Sequence, residues 1–216
     1  MKKNNWVISF LLFGSLLSVG SASAISIDFS PESETVYIGD SFGVDVVISD
    51  LYATDTSREI VSAFDLDVIY DASVLTATGV TFGSSLGLNP STDPFDFFSD
   101  AWITEVLTPG RLDFAESSWL SNSDLLDLQP NDSFVLATLN FVSIAEGFSS
   151  LIFDPVGYPG IDIKGYDPFS PFDMSQSTGA GQVSVLRSTQ VPVPATLFLL
   201  IVGLFGLVSC NRFKRI

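Results

Sequence analysis

The chain contains no histidine, a single cysteine (Cys210) and only nine basic residues against 25 acidic ones. Each shortage closes off some chemistry. Without histidine there is no Ser-His-Asp or Cys-His nucleophilic machinery, no His-ligated zinc and no H-E-x-x-H site. One cysteine cannot form an intrachain disulfide, so the folded part must be held by its apolar core alone. A formal charge of −16 gives a field that repels nucleic acid and other anionic surfaces. No G-x-x-x-x-G-K-[ST] or G-x-G-x-x-G loop stands between a strand and a helix, and no D-x-[DN]-x-[DN]-G calcium loop occurs.

The chain does have two apolar ends. At the start, Lys2 and Lys3 precede an apolar run over residues 6–19, followed by Ala22-Ser23-Ala24. That order predicts a secretory signal peptide over residues 1–24, with Ala22 and Ala24 marking the cleavage site. At the other end Pro192 and Pro194 form a stiff extended spacer. Residues 195–210 then carry no charge, and Arg212, Lys214 and Arg215 close the chain. An apolar run ending in basic residues predicts a membrane helix with its C-terminus on the cytoplasmic side. Its sixteen residues fall just short of the ~17–25 of a stable span, which suits a transient anchor.

The tail Val191-Pro192-Val193-Pro194-Ala195, short apolar helix and basic end resembles the C-terminal sorting signal of bacterial PEP-CTERM proteins, in its V-P-x-P-A form. Val193 stands where the namesake motif has Glu. The resemblance implies handling by an exosortase, a membrane transpeptidase-like enzyme of biofilm-forming Gram-negative bacteria. In that scheme Pro192, Val193, Pro194 and Ala195 form the sorting motif, and Arg212, Lys214 and Arg215 stop transfer. An ordinary single-pass anchor is the other reading of the tail.

Between the two ends, residues 25–187 hold all 25 acidic residues and four basic ones, Arg58, Arg111, Lys164 and Arg187, a formal charge of −21. The acidic residues are scattered singly, unlike a disordered acidic tail. Short runs of alternating apolar residues are separated by Gly, Pro, Asp and Ser, which predicts an all-β domain. In the clearest run Phe64, Leu66, Val68 and Tyr70 share one face, with Asp65 and Asp67 on the other. Other runs lie at residues 25–29, 35–38, 42–49, 74–82, 134–144, 150–153 and 182–186. Residues 101–107 and 111–115, joined by Thr108-Pro109-Gly110, read as a hairpin, and residues 124–128 as a helical turn. Nine or ten strands without a long amphipathic helix predict a β-sandwich.

Gly39-Asp40, the strand Val61-Ser62-Ala63-Phe64-Asp65-Leu66-Asp67-Val68-Ile69-Tyr70-Asp71, Val80-Thr81-Phe82-Gly83 and the later Leu139-Asn140-Phe141, Glu146-Gly147 and Leu151-Ile152-Phe153 together resemble a cohesin-like domain. The resemblance implies a jelly-roll sandwich of about nine strands. It also implies binding of a dockerin-like protein through one exposed sheet face. No single residue matches a diagnostic binding motif.

Candidate ligand residues follow from residue type. Asp65 and Asp67 project from one strand face and, with Asp71 in the following turn, could share a calcium ion; a solvated outer strand face is the plainer reading. Two loops are rich in rings and carboxylates: residues 89–98, and residues 158–174 with Tyr158, Tyr166 and Phe169. Such loops suit sugar stacking or a protein partner, although the rings could instead fold back over the ends of the sandwich, the reading preferred here. Trp102 and Trp119 read as core or rim. Catalysis would have to use carboxylate pairs about 5–9.5 Å apart, and with 25 acidic residues chance pairs are expected.

The expectation is therefore an exported, non-catalytic protein of the cell surface or extracellular matrix, with no cofactor unless calcium. It consists of a signal peptide (1–24), a cohesin-like sandwich (25–187) and a sorting signal (188–216). Its partners would be the export machinery and exosortase, the membrane through residues 195–210, and an exopolysaccharide or a dockerin-like protein. Two other readings stay open, a carbohydrate-binding module and a secreted glycosidase using two carboxylates.

Overall fold

The computed structural model describes residues 25–52, 58–96, 98–155, 161–165, 172–173 and 176–187. The first half of the fold contains β1 (Ile25–Ser30), β2 (Ser33–Tyr37), β3 (Ser41–Ser49), β4 (Val61–Ile69) and β5 (Leu75–Phe82). After β6 (Pro90–Ser91) come β7 (Ala101–Thr108), β8 (Arg111–Ser118) and, as the one helix among the described residues, α1 (Asn122–Leu128). The chain continues through β9 (Phe134–Ser143), β10 (Gly147–Phe153), β11 (Ile161–Gly165), β12 (Phe172–Asp173), β13 (Gln176–Thr178) and β14 (Ala180–Leu186).

These strands form two sheets. The smaller has five in the order β13-β1-β3-β9-β5; the larger has nine, in the order β2-β14-β10-β4-β8-β7-β6 with β11 on β4 and β12 on β11. Two strands share one side of β4: β10 pairs at Val68 and Ile69, and β11 along Val61–Leu66. The β7–β8 hairpin closes at Thr108 opposite Arg111. Pro109 and Gly110 make its turn, Gly110 at φ +84°, a conformation that glycine adopts without steric cost and that follows proline in type II turns.

The core forms where alternate residues of the two sheets meet. Phe29, Val46, Leu139 and Phe141 come from the smaller sheet, and Phe64, Leu66, Phe114 and Phe153 from the larger, each 4 % exposed or less. Phe29 stacks on Phe153 at 4.4 Å, and Phe64 meets Phe114 edge-on at 5.9 Å. Tyr70 packs edge-on against Phe141 and donates its hydroxyl to Thr108 O at 3.1 Å, so its polar end is satisfied within the core wall. α1 starts at Ser121, whose hydroxyl accepts from Asp124 N, and buries Leu125.

The alternating runs all form strands: β1 to β5, β7 to β10 and β14. β6, β11, β12 and β13 raise the number among the described residues to fourteen, above the expected nine or ten. Three of the four are two or three residues long, too short to display a period-two pattern, and exist because a neighbouring strand offers free backbone groups. The proposed signal peptide and sorting tail lie outside the described residues. Among those described, no helix is long and apolar enough to cross a membrane.

Because Phe114 is wholly buried between the sheets, Phe114→Ala should cost about 3–5 kcal/mol in denaturant unfolding. Phe148→Ala, on the exterior of β10 at 69 % exposure, should change stability by no more than about 0.5 kcal/mol.

Candidate functional site

The side chains opposite the core on the larger sheet form one continuous surface. Strand alternation places Asp65 and Asp67 of β4 there, beside Arg111, Asp113 and Ala115 of β8 and Val106 of β7. Asp65 also faces Asp162 of β11, and Ile69 faces Ile152 of β10. Asp67 lies at the centre and is wholly buried. Arg111 grips it with two bonds, Nε to Oδ1 at 2.9 Å and Nη2 to Oδ2 at 2.6 Å. The same guanidinium reaches Asp154 Oδ2 through Nη1 at 3.5 Å, and Asp154 N donates to the backbone oxygen of Asp67 at 2.9 Å. Asp154 sits just beyond the end of β10, so the ion group covers the point where β10 gives way to β11 along β4.

This arrangement corrects the reading of Asp67 as part of a solvated face. It also weighs against a cation shared by Asp65, Asp67 and Asp71: both oxygens of Asp67 bind Arg111, and Asp71 Oδ1 accepts from Ser73 N and Oγ at 2.8 and 2.6 Å. No cluster of three or more metal-ligating side chains occurs among the described residues. Asp65 is pushed up to about 6, chiefly by burial and then by Asp113, Asp67 and Asp162. One of its oxygens, Oδ1, is buried without a hydrogen-bond partner. Asp113 also lies above the usual carboxylate range, through burial and then Asp67, with Arg111 opposing. Lys164 pairs with Asp162 at 3.0 Å. Five carboxylates thus share the surface with two cations, and a partner bringing positive charge would relieve their mutual repulsion.

Apolar side chains flank this ionic centre. Phe148, Ile152, Ile69 and Val106 are 69 %, 49 %, 42 % and 51 % exposed. The outer face of the smaller sheet is different: none of its strands carries an exposed large apolar side chain, Val47, Val135 and Val142 being half-buried there, and polar residues bond one another, Thr138 donating to Asp45 at 2.6 Å and Asn140 to Thr81 at 3.0 Å.

Of the loop rings, Phe95 and Phe98 depart from expectation, while Trp119 lies at the rim as expected, 57 % exposed. Phe95 and Phe98 do not fold back over the sandwich but are 76 % and 93 % exposed. Trp102 is half-buried. Tyr158, Tyr166 and Phe169, like Ala22, Ala24, Pro192, Val193, Pro194, Ala195, Arg212, Lys214 and Arg215, lie outside the described residues.

Two residues that matter here escaped the sequence reading. Arg111 was legible only as one of four cations in an acidic domain. Glu116 alternates with Leu112 and Phe114, so it points to the core side of β8, opposite Phe64 and Ile103. It is 1 % exposed, both carboxylate oxygens lack hydrogen-bond partners, and burial pushes its pKa up to about 8. The alternation in Leu112-Asp113-Phe114-Ala115-Glu116 was the signal available for it.

Comparison with known proteins places this fold. No family model and no curated protein matches the chain. Among solved structures, the seventh ScaB type I cohesin of Pseudobacteroides cellulosolvens is similar with a TM-score of 0.56 at 14 % identity, over 78 % of this chain and 96 % of that one. CaCohA2 from Clostridium acetobutylicum gives 0.53 at 21 % identity, over 78 % and 94 %. The third ScaC cohesin of Acetivibrio cellulolyticus, solved in complex with the ScaB dockerin, gives 0.50 at 14 % identity, over 75 % and 99 %. The described domain has the cohesin-like sandwich fold.

Glu116 generates a pH test. Its folded pKa is raised, so the folded state holds a proton that the unfolded state releases, and stability falls as pH rises from about 4.5 to about 8. Glu116→Gln should therefore be more stable than the wild type by a few kcal/mol at pH 8 and nearly equal to it at pH 4, as read by thermal unfolding at both values.

Proposed function

We propose that this protein is exported, acts without catalysis at the cell surface or in the extracellular matrix, and uses its cohesin-like sandwich to hold a protein partner of dockerin-like kind. The observation that carries this reading is the contrast between the two sheet faces. One carries no exposed large apolar side chain and its polar groups bond one another; the other sets exposed apolar side chains around a fixed arginine and several carboxylates. Protein interfaces favour that mixture of apolar contact and oriented Arg, and the excess carboxylates suit a partner with Lys or Arg on its docking side. A dockerin seated on the ScaC cohesin of Acetivibrio cellulolyticus, which has a similar fold, supports a protein as the occupant. The tail supports the location: Pro192 and Pro194 would present an extended motif to an exosortase while residues 195–210 hold it in the inner membrane and Arg212, Lys214 and Arg215 stop transfer.

Two experiments test this reading. In capture from the solubilised envelope of the host, a partner should co-purify with the wild-type chain and with Thr81→Lys on the smaller sheet, but not with Ile152→Lys; equal capture by all three would reject the larger sheet as the docking face. For sorting, intact mass of the protein from envelope and medium should show loss of residues 1–24 and of everything beyond the Pro192–Pro194 region. A species that retains residues 195–216 would indicate a plain anchor.

A further inference from the structure

The loop between β5 and β7 carries a concave site that the sheet-face reading does not use. Pro94, Asp96, Ser99 and Trp119 line a pocket of about 280 Å³. Its backbone is held in place beforehand. Asp93 Oδ1 accepts from Phe95 N at 2.9 Å and Asp96 Oδ1 from Phe98 N at 3.0 Å, two successive Asx turns. Asn89 Nδ2 donates to Phe98 O at 3.2 Å, and Trp119 N donates to Asp100 O at 2.8 Å, which ties the indole to the same loop.

We propose that this pocket binds a neutral polysaccharide, with one pyranose ring stacked on Trp119 and its hydroxyls donating to Asp96 and Ser99. The polar groups select this ligand class because both are acceptors in waiting. Asp96 Oδ1 is engaged by Phe98 N, which leaves Oδ2 for a ligand. Ser99 Oγ gives its proton to Asp96 O at 2.8 Å, which leaves its lone pairs. A ligand must therefore bring hydroxyl donors together with an apolar ring face, and a pyranose has both. Asp96 and the domain's formal charge of −21 disfavour an anionic sugar. The volume lies just under the ~300–1,000 Å³ usual for ligand pockets, room for one or two sugar rings. The exposed Phe95 and Phe98 at the loop tip would extend the contact to neighbouring units of a long chain. Because Asn89, Asp93, Phe95, Asp96 and Phe98 are already tied by these hydrogen bonds, binding would cost little of their freedom. This site is separate from the sheet face, and either can fail without the other.

The test is affinity electrophoresis of the full chain, in mild detergent, through native gels containing dextran, laminarin or galactomannan, with alginate as the anionic control. At least one neutral polysaccharide should retard the wild type and alginate should not. Trp119→Ala should weaken that retardation roughly tenfold, the loss expected for an anchoring aromatic, with Trp119→Phe and Phe98→Ala in between. No retardation by any neutral polysaccharide, retardation by alginate alone, or wild-type retardation of Trp119→Ala would overturn the proposal. If Trp119→Ala does not fold, the other two variants decide: wild-type retardation of both overturns it.

Discussion

A carboxylate that points away from the core and is nevertheless fully buried must have its charge met at once, and Asp67 is in that position. Taking it from water unpaired would cost several kcal/mol. Arg111 meets it with two parallel bonds, a geometry that lysine could not supply. The register follows from this contact. Asp67 lies opposite Asp113, and Arg111 opposite Ile69, so the pair runs diagonally between β4 and β8. A slip of one residue would turn Asp67 into the core and Leu66 out of it. Asp154 extends the lock to the end of β10, on the far side of β4.

Around that lock the molecule divides its side chains by chemistry. With no disulfide available, stability comes from the apolar layer between the sheets, where Phe29, Phe64, Phe114, Phe141 and Phe153 supply much of the area. The acidic excess lies outside that layer and favours solubility. Glu116 breaks this division: a lone carboxyl on the core side of β8 without a hydrogen-bonding partner. It holds its place by staying protonated, a local conflict of the kind natural sequences tolerate at a few positions. The outer surface of the larger sheet is the other departure, since burial first and neighbouring carboxylates second raise Asp65 and Asp113 there. Crowding of like charge on a surface edged by Phe148 and Ile152 is costly for the free protein, a cost that a cationic partner would relieve.

Local pattern carried much of the fold. Phe64, Leu66 and Val68 face the core as their period-two spacing requires, and Pro109-Gly110 makes the hairpin turn that its residues imply. What the pattern could not carry was pairing across distance. Asp67 alternates correctly with the core residues, yet its burial depends on Arg111, 44 positions away, and on Asp154 from another strand. β11 was hidden for the same reason: Ile161-Asp162-Ile163 forms a strand because β4 offers an edge beside it. In the 89–98 loop, composition gave the rings but not their direction. Two Asx turns, at Asp93 and Asp96, set the path of the backbone, and Phe95 and Phe98 remain outside the core.

The central role of the Asp67–Arg111 pair is open to a double-mutant cycle, in which unfolding is measured for Asp67→Asn, Arg111→Met and the two combined. If the pair is what makes burial of Asp67 tolerable, Arg111→Met alone should be the least stable of the three, and the combined variant should recover much of the loss. Single effects that simply add, with no recovery in the combined variant, would show that Asp67 is accommodated without Arg111 and that the larger sheet is held in register by other contacts.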